Sequence, residues 1–128
     1  MIQNNFHNNF SANAPSQFKL TVMQKLVSVY KLWHEFLPHF TKDSRYTIGA
    51  KIDSLFLETI EYIIRASYSD KLEKLIALKN ASFKLDLLKL FLQVSWEIKS
   101  LDNKKYISLS EKLDEIGRML GGWLKSIK

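Results

Sequence analysis

The sequence predicts an all-α protein folded as an antiparallel up-down-up-down four-helix bundle. Helix breakers are scarce, because the 128 residues include only four Gly and two Pro. Apolar residues make up 46% of the chain and recur every three or four positions, as on one face of a helix. The polar segments between these stretches are short, which favours antiparallel neighbours. This length suits one domain with a substantial core.

Residues 1–15 differ from the rest of the chain. They contain five Asn and no Asp, Glu, Lys or Arg, and they show neither helical nor strand periodicity. We therefore expect a flexible tail over 1–15 and a bundle domain over 16–128. The sequence lacks a secretory signal and an apolar run long enough to span a bilayer, so we expect a soluble, cytoplasmic protein without a membrane partner.

The first two predicted helices each carry one apolar stripe. Helix one is expected from Ser16, a possible N-cap, to Leu37, because Pro38 cannot continue the hydrogen-bond ladder. After a loop over 38–46, helix two is expected over 47–66. The two stripes comprise Phe18, Val22, Leu26, Val29, Trp33 and Phe36 in the first helix, and Ile48, Ile52, Leu55, Phe56, Thr59 and Ile63 in the second.

The third predicted helix, which follows Asp70 as N-cap, carries two apolar stripes. One contains Leu72, Ile76, Phe83, Leu87, Leu90, Val94, Ile98 and Leu101; the other contains Leu78, Ala81, Leu85, Leu88, Leu92 and Trp96. A helix in a four-helix bundle needs only one such stripe, and an exposed second stripe would form a large apolar patch. We therefore expect the second stripe to form a subunit interface through Leu85, Leu88, Leu92 and Trp96. The alternatives are a helix that is central within its own bundle and a break near Lys79 and Asn80.

The last helix is predicted over 108–125, after a polar turn at 102–105. Ser108 and Glu111 have the spacing of a capping box. Gly117 and Gly121 are four residues apart, and glycine inside a helix costs about 1 kcal/mol relative to alanine. We therefore expect another backbone to pass close to them, although a fraying C-terminus would also tolerate glycine.

Catalytic and metal-binding patterns do not emerge from the sequence. The absence of Cys excludes a disulfide scaffold, a thiolate zinc site and a cysteine nucleophile. His34 and His39 are five residues apart, which is unsuitable for a metal pair on one helix face. Carboxylate pairs such as Glu58 with Glu61 lie on faces expected to be solvated, where pKa shifts are small. We expect no enzymatic activity, no metal and no cofactor.

The formal charge of +6 favours acidic partners such as nucleic acid, although a solvated lysine-rich surface is equally compatible with it. Each of the three arginines also has an ordinary structural interpretation. Arg118 follows Asp114 by four residues and Glu115 by three, which suits an intrahelical salt bridge.

Four segments together resemble a known family: Trp33-His34, Arg45–Gly49, Lys84–Asp86 and, above all, Glu115–Trp123, which contains Gly-Arg-Met-Leu-Gly-Gly-Trp. The chain resembles, over residues 17–128, the small four-helix-bundle proteins that include the accessory variability determinant, Avd, of diversity-generating retroelements. The same family includes proteins encoded in intervening sequences of large-subunit rRNA genes, whose role is structural or unknown.

The resemblance implies a homo-oligomer in the form of a pentameric barrel. It further implies a non-enzymatic accessory protein that binds the retroelement reverse transcriptase and the template-repeat RNA, and that supports mutagenic cDNA synthesis. No aromatic-rich RNA-binding motif is present, so we expect recognition by shape and charge. The expected RNA- or partner-binding residues are Arg45, Lys84, Lys89, Lys104, Lys105 and Arg118.

Overall fold

The computed structural model describes residues 17–127, with side chains from Thr21 onward, and all regular elements in this range are helices. This confirms the predicted all-α class. The predicted tail over 1–15 and the predicted N-cap Ser16 lie outside the described residues. The α-helices are α1 Gln17–Phe36, α2 Lys42–Tyr46, α3 Ile48–Tyr68, α4 Lys71–Glu97 and α5 Asn103–Ser126, and a 3₁₀ turn, Leu37–His39, follows α1.

Each of the four long helices packs against two of the others. α1 packs against α3 and α5, and α4 packs against the same two helices. Along α1 and α5 the contacts run in opposite order, because Lys25 meets Glu115 whereas Phe36 meets Lys105. The same reversal along α4 and α5 is seen in three pairs: Leu85 with Gly117, Lys89 with Asp114, and Trp96 with Tyr106.

An aromatic cluster joins α1 to α3 and to the segment between them. The Trp33 ring stacks on Phe56 at 6.0 Å between centroids and meets Phe40 edge-on at 5.4 Å. Its indole N–H donates to Asp53 Oδ1 at 3.2 Å. Burial and a hydrogen bond to Asp53 raise the pKa of Tyr30 above its usual value. Because Phe40 lies in the core, the segment after α1 is held against the bundle.

The two predicted stripes of α4 both exist, but the predicted interface is wrong at three of its four residues; the fourth, Trp96, is 38% exposed. Leu85, Leu88 and Leu92 are buried in the core of their own chain, so they cannot also cover another subunit. The most exposed apolar residues of α4 belong to the other stripe: Leu72 is 68% exposed, Phe83 59% and Leu90 51%. α4 is continuous from Lys71 to Glu97, which rules out the predicted break near Lys79 and Asn80.

The predicted start of the last helix is also wrong. α5 begins at Asn103, and the side chain of Asp102 caps it by accepting a hydrogen bond from the Lys105 backbone N–H at 2.9 Å. Ser108 therefore lies inside the helix, and the predicted polar turn over 102–105 forms its first turn. The chain reverses just before Asp102, where Lys99 adopts a left-handed φ of 67°. At the start of α4, by contrast, Asp70 caps as predicted, accepting from the Glu73 N–H at 3.2 Å.

The predicted close backbone approach at the α5 glycines is absent from the described chain. A Cβ at Gly121 would meet nothing within 4 Å, and one at Gly117 would meet only Leu85 Cδ2 at an ordinary 3.6 Å. Gly49 in α3 is the tight position instead, since a Cβ there would lie 2.8 Å from Leu37 Cδ1 and 3.1 Å from the Ser44 carbonyl oxygen. Glycine at position 49 therefore lets α3 begin directly against the segment that follows α1.

Replacing Asp102 with Ala should lower the midpoint of thermal unfolding by several degrees, because the N-terminus of α5 loses its cap. The hydrogen bonds from the Lys105 backbone N–H and side chain hold the pKa of Asp102 below its usual value. A lowered folded-state pKa means that this stabilisation is present at neutral pH and is lost as the pH falls through that pKa. Circular dichroism melts at neutral and acidic pH should show the difference from wild type shrinking in acid.

The matched control for this prediction is Ser108→Ala. Ser108 lies within α5 and alanine has the higher helix propensity, so this variant should melt close to the wild type. A larger loss for Ser108→Ala than for Asp102→Ala would contradict the observed helix start.

Candidate functional site

Arg45 is held within its own chain. Its Nη2 donates to the carbonyl oxygens of Pro38 at 3.0 Å and Phe40 at 3.2 Å. The guanidinium therefore fastens the connection between α1 and α3, and it is partly buried in doing so. A phosphate ligand at Arg45 would have to compete with these two bonds, so the geometry favours a structural role for this residue.

Three of the predicted lysines form ion pairs on the surface. Lys84 Nζ lies 3.4 Å from Glu58 Oε1, Lys89 Nζ lies 2.9 Å from Asp114 Oδ1, and Lys105 Nζ lies 2.9 Å from Asp102 Oδ2. Such partly exposed pairs contribute only about 0–1 kcal/mol, so a stronger anion could displace the carboxylate. Each pair nevertheless cancels the local charge, which weakens its attraction for RNA at a distance.

Arg118 differs from these residues because its predicted intrahelical partners are engaged elsewhere. Asp114 pairs with Lys89 on α4, and Glu115 pairs with Lys25 on α1 at 3.3 Å. Arg118 is exposed and forms no ion pair within residues 21–127. Its planar guanidinium is therefore available to a phosphate or carboxylate of a partner.

Two further cations lie on the same side of α5 as Arg118. Lys104 precedes it by 14 residues and Lys125 follows it by seven, spacings that keep side chains on one helix face. Both are exposed and lack ion pairs in the described part of the chain. We call Lys104, Arg118 and Lys125 the α5 cationic face; it extends about 30 Å at 1.5 Å per residue, and Glu111 interrupts it. Lys125 was missed by sequence reasoning, although its spacing of seven residues from Arg118 indicates the same helix face.

The exposed apolar residues form the second feature of the surface. We call the following six side chains the α4 outer stripe: Leu72, Ile76, Phe83, Leu87, Leu90 and Val94. Four of them are largely exposed and two are half-buried, and the stripe runs about 33 Å along the helix. On the neighbouring α3, Leu57 and Tyr68 are also exposed. Isolated exposed apolar residues are ordinary, but a stripe of this length, interrupted by the exposed Lys79, is typical of an interaction surface.

Candidate catalytic and metal-binding groups do not come together in the described residues. No cluster of three or more His, Asp or Glu side chains there could hold a metal ion. His34 lies beside the Tyr30 ring, at 6.2 Å between centroids, and is exposed. Within 17–127, no helix is both long and apolar enough to cross a membrane.

These surfaces lie on a chain that matches a known protein family. The model of the family described as bAvd-like matches residues 20–127, which covers all four long helices and the Gly-Arg-Met-Leu-Gly-Gly-Trp string that contains Arg118. The family resemblance inferred from the sequence is thereby confirmed. No curated protein and no solved structure matches the chain.

Proposed function

Since this chain belongs to the bAvd-like family, we propose that it is a non-enzymatic accessory protein of a diversity-generating retroelement. In this proposal it binds the reverse transcriptase and the template RNA and supports mutagenic cDNA synthesis. The observation that carries the proposal is the family match over residues 20–127. The family is one of accessory proteins rather than enzymes. Arg118, which is exposed and forms no ion pair within the described residues, lies in the Gly-Arg-Met-Leu-Gly-Gly-Trp string.

RNA binding in this proposal is electrostatic. Basic side chains that neutralise phosphates release counterions, so the affinity falls as salt rises. The α5 cationic face supplies the charges that no carboxylate of the described chain neutralises. Lys84, Lys89 and Lys105 would contribute after exchanging their carboxylate partners, and Arg45 would contribute least because it holds backbone carbonyls.

Self-assembly is the second part of the proposal. We propose an up-down-up-down bundle that assembles as a pentamer, with the α4 outer stripe covered by a second copy of the chain. The reversed order of contacts along α1–α5 and α4–α5 supports the path of the bundle. A closed ring needs heterologous contacts, in which two different surfaces meet. The exposed Leu57 and Tyr68 on α3 supply an apolar counterpart to the stripe on α4.

A ring would also strengthen the charge argument. Five copies of the α5 cationic face around one axis would produce a stronger field than a monomer of charge +6. Assembly and RNA binding are thus coupled, since loss of the ring would disperse the charges.

The proposal predicts that Arg118→Gln weakens binding to template-repeat RNA more than Lys84→Gln does. Both changes remove one positive charge, but Lys84 is paired with Glu58 whereas Arg118 is unpaired within the described chain. Near 0.1 M salt, one lost phosphate contact costs roughly five- to tenfold in affinity and lowers the slope of log K against log salt by about 0.7–0.9. Fluorescence anisotropy with labelled RNA over a salt series measures both quantities.

Equal effects of the two substitutions would contradict the assignment of Arg118. Absence of any salt-dependent RNA binding by the wild type, together with no binding to a reverse transcriptase encoded beside it, would remove the retroelement proposal. That result would leave an oligomer of the kind associated with rRNA intervening sequences.

The assembly proposal predicts that Leu90→Lys dissociates the oligomer without unfolding the chain. Leu90 is 51% exposed in one chain, so a lysine there costs the monomer little but places a charge in an apolar interface. Gln93→Lys is the matched control, because it adds the same charge three residues further along α4 at an exposed polar position. Sedimentation velocity should show a monomer for Leu90→Lys and a wild-type species for Gln93→Lys, with equal helicity. Identical sedimentation of both variants would contradict the interface.

A further inference from the structure

A surface cavity of about 520 Å³ lies at the turn between α4 and α5, next to Lys104 at one end of the α5 cationic face. Its position follows from the tight reversal of the chain after α4, where Lys99 adopts its left-handed conformation. The cavity is lined by Trp96, Glu97, Lys99, Leu101, Asp102 and Asn103.

Trp96 presents a fixed aromatic surface at this cavity. Its indole stacks on the Tyr106 ring, with centroids 5.1 Å apart and planes inclined by 11°, and its N–H donates to Asn103 Oδ1. Trp96 lines the cavity, whereas Tyr106 does not. Trp96 is 38% exposed, whereas Trp33 and Trp123 are buried. A ring held from one side in this way is preorganised for stacking on the other.

The charges around the cavity favour an anionic rather than a cationic ligand. Of its two carboxylates, Asp102 caps α5 and pairs with Lys105, whereas Glu97 keeps its negative charge, because the Gln93 Nε2 group that donates to it at 3.3 Å is a neutral amide. The ammonium group of Lys99 is exposed and forms no ion pair within the described chain, and the same holds for Lys104 two positions beyond Asp102. Lys99, Lys104 and Lys105 together exceed the two carboxylates by one charge, so the surroundings of the cavity carry a net positive charge.

We propose that this cavity binds one unpaired base of single-stranded RNA, which stacks on Trp96 while Lys99 and Lys104 contact the flanking phosphates. Exposed aromatic rings beside cations bind single strands in this way, because each base has a π-face. Duplex RNA does not offer a free base face to such a ring. The inference rests on the proposed function. The stacked base gives the RNA-binding surface a contact that charge alone does not supply.

The test uses the full-length protein and the fluorescence of its tryptophans. Trp96 is the exposed one of the three tryptophans, so a base stacked on it should quench the emission. Single-stranded oligoadenylate should quench and a blunt duplex RNA of the same length should not. Trp96→Leu should weaken oligoadenylate binding by about 5- to 100-fold, as expected for one lost base–aromatic stack, and leave the salt slope unchanged.

Two further variants guard against a folding artefact, because Trp96 also packs on Tyr106. Trp96→Phe keeps an aromatic ring at the position and should give an intermediate affinity. Lys99→Gly removes the ammonium group at a left-handed φ that glycine adopts freely, so this variant should unfold no earlier than the wild type. It should lower the salt slope for single strands by about 0.7, the contribution of one phosphate contact.

The outcomes separate this inference from the proposed function. If oligoadenylate binds with a steep salt dependence but neither quenches Trp96 nor responds to Trp96→Leu and Trp96→Phe, the base site is overturned and RNA binding stands. If no RNA binds under any salt condition, both are overturned. Quenching by an arginine-rich peptide and not by oligoadenylate would assign the cavity to a protein partner and overturn the base site.

Discussion

The structure depends on one constraint: α4 is apolar along two sides, whereas a single bundle can bury only one of them. The side that faces the core contains Leu85, Leu88 and Leu92, which pack between α3 and α5. The α4 outer stripe is then left on the surface of a single chain, where an apolar patch of this length is unfavourable in water. The proposed self-association would cover this stripe, and it would bring the exposed charges of several copies onto one particle.

The choice between the two stripes of α4 has a physical reason that the sequence contained. Ala77, Ala81 and Ser95 are buried together with the three core leucines. Small residues at a helix contact let neighbouring backbones approach closely, whereas bulky residues such as Phe83 keep them apart. Periodicity alone finds two stripes without ranking them, and it is the small residues that identify the inner one.

Helix caps and glycine contacts could be predicted only where they depend on residues close together in the sequence. Asp70 lies next to a turn and caps α4 as predicted, whereas the last helix was predicted to begin at the capping box of Ser108 and is instead capped by Asp102. The glycines of α5 face open space or a side chain, and the tight glycine, Gly49, depends on how the segment after α1 folds back. Such contacts join distant parts of the chain, so spacing within one helix could not reveal them.

The candidate RNA surface likewise depends partly on spacing within one helix and partly on contacts between helices. Helical spacing places Arg118 and Lys104 on one side of α5, but the pairing of their neighbours is tertiary. Glu115, expected near Arg118, pairs instead with Lys25, 90 positions earlier in the chain. Trp96 and Tyr106 meet only because α4 and α5 pack against each other. The sequence therefore predicts candidate residue types for binding, and the fold decides which of them are available.

The most direct test of whether a second copy covers the α4 outer stripe is the reactivity of a single introduced thiol, because the natural chain has no cysteine. Leu90→Cys and Gln93→Cys would each be treated with a thiol reagent over a range of protein concentrations. The account predicts that the thiol at position 90 is protected at high concentration and becomes reactive on dilution, while the thiol at position 93 reacts at all concentrations. Equal and rapid reaction at both positions throughout would contradict it.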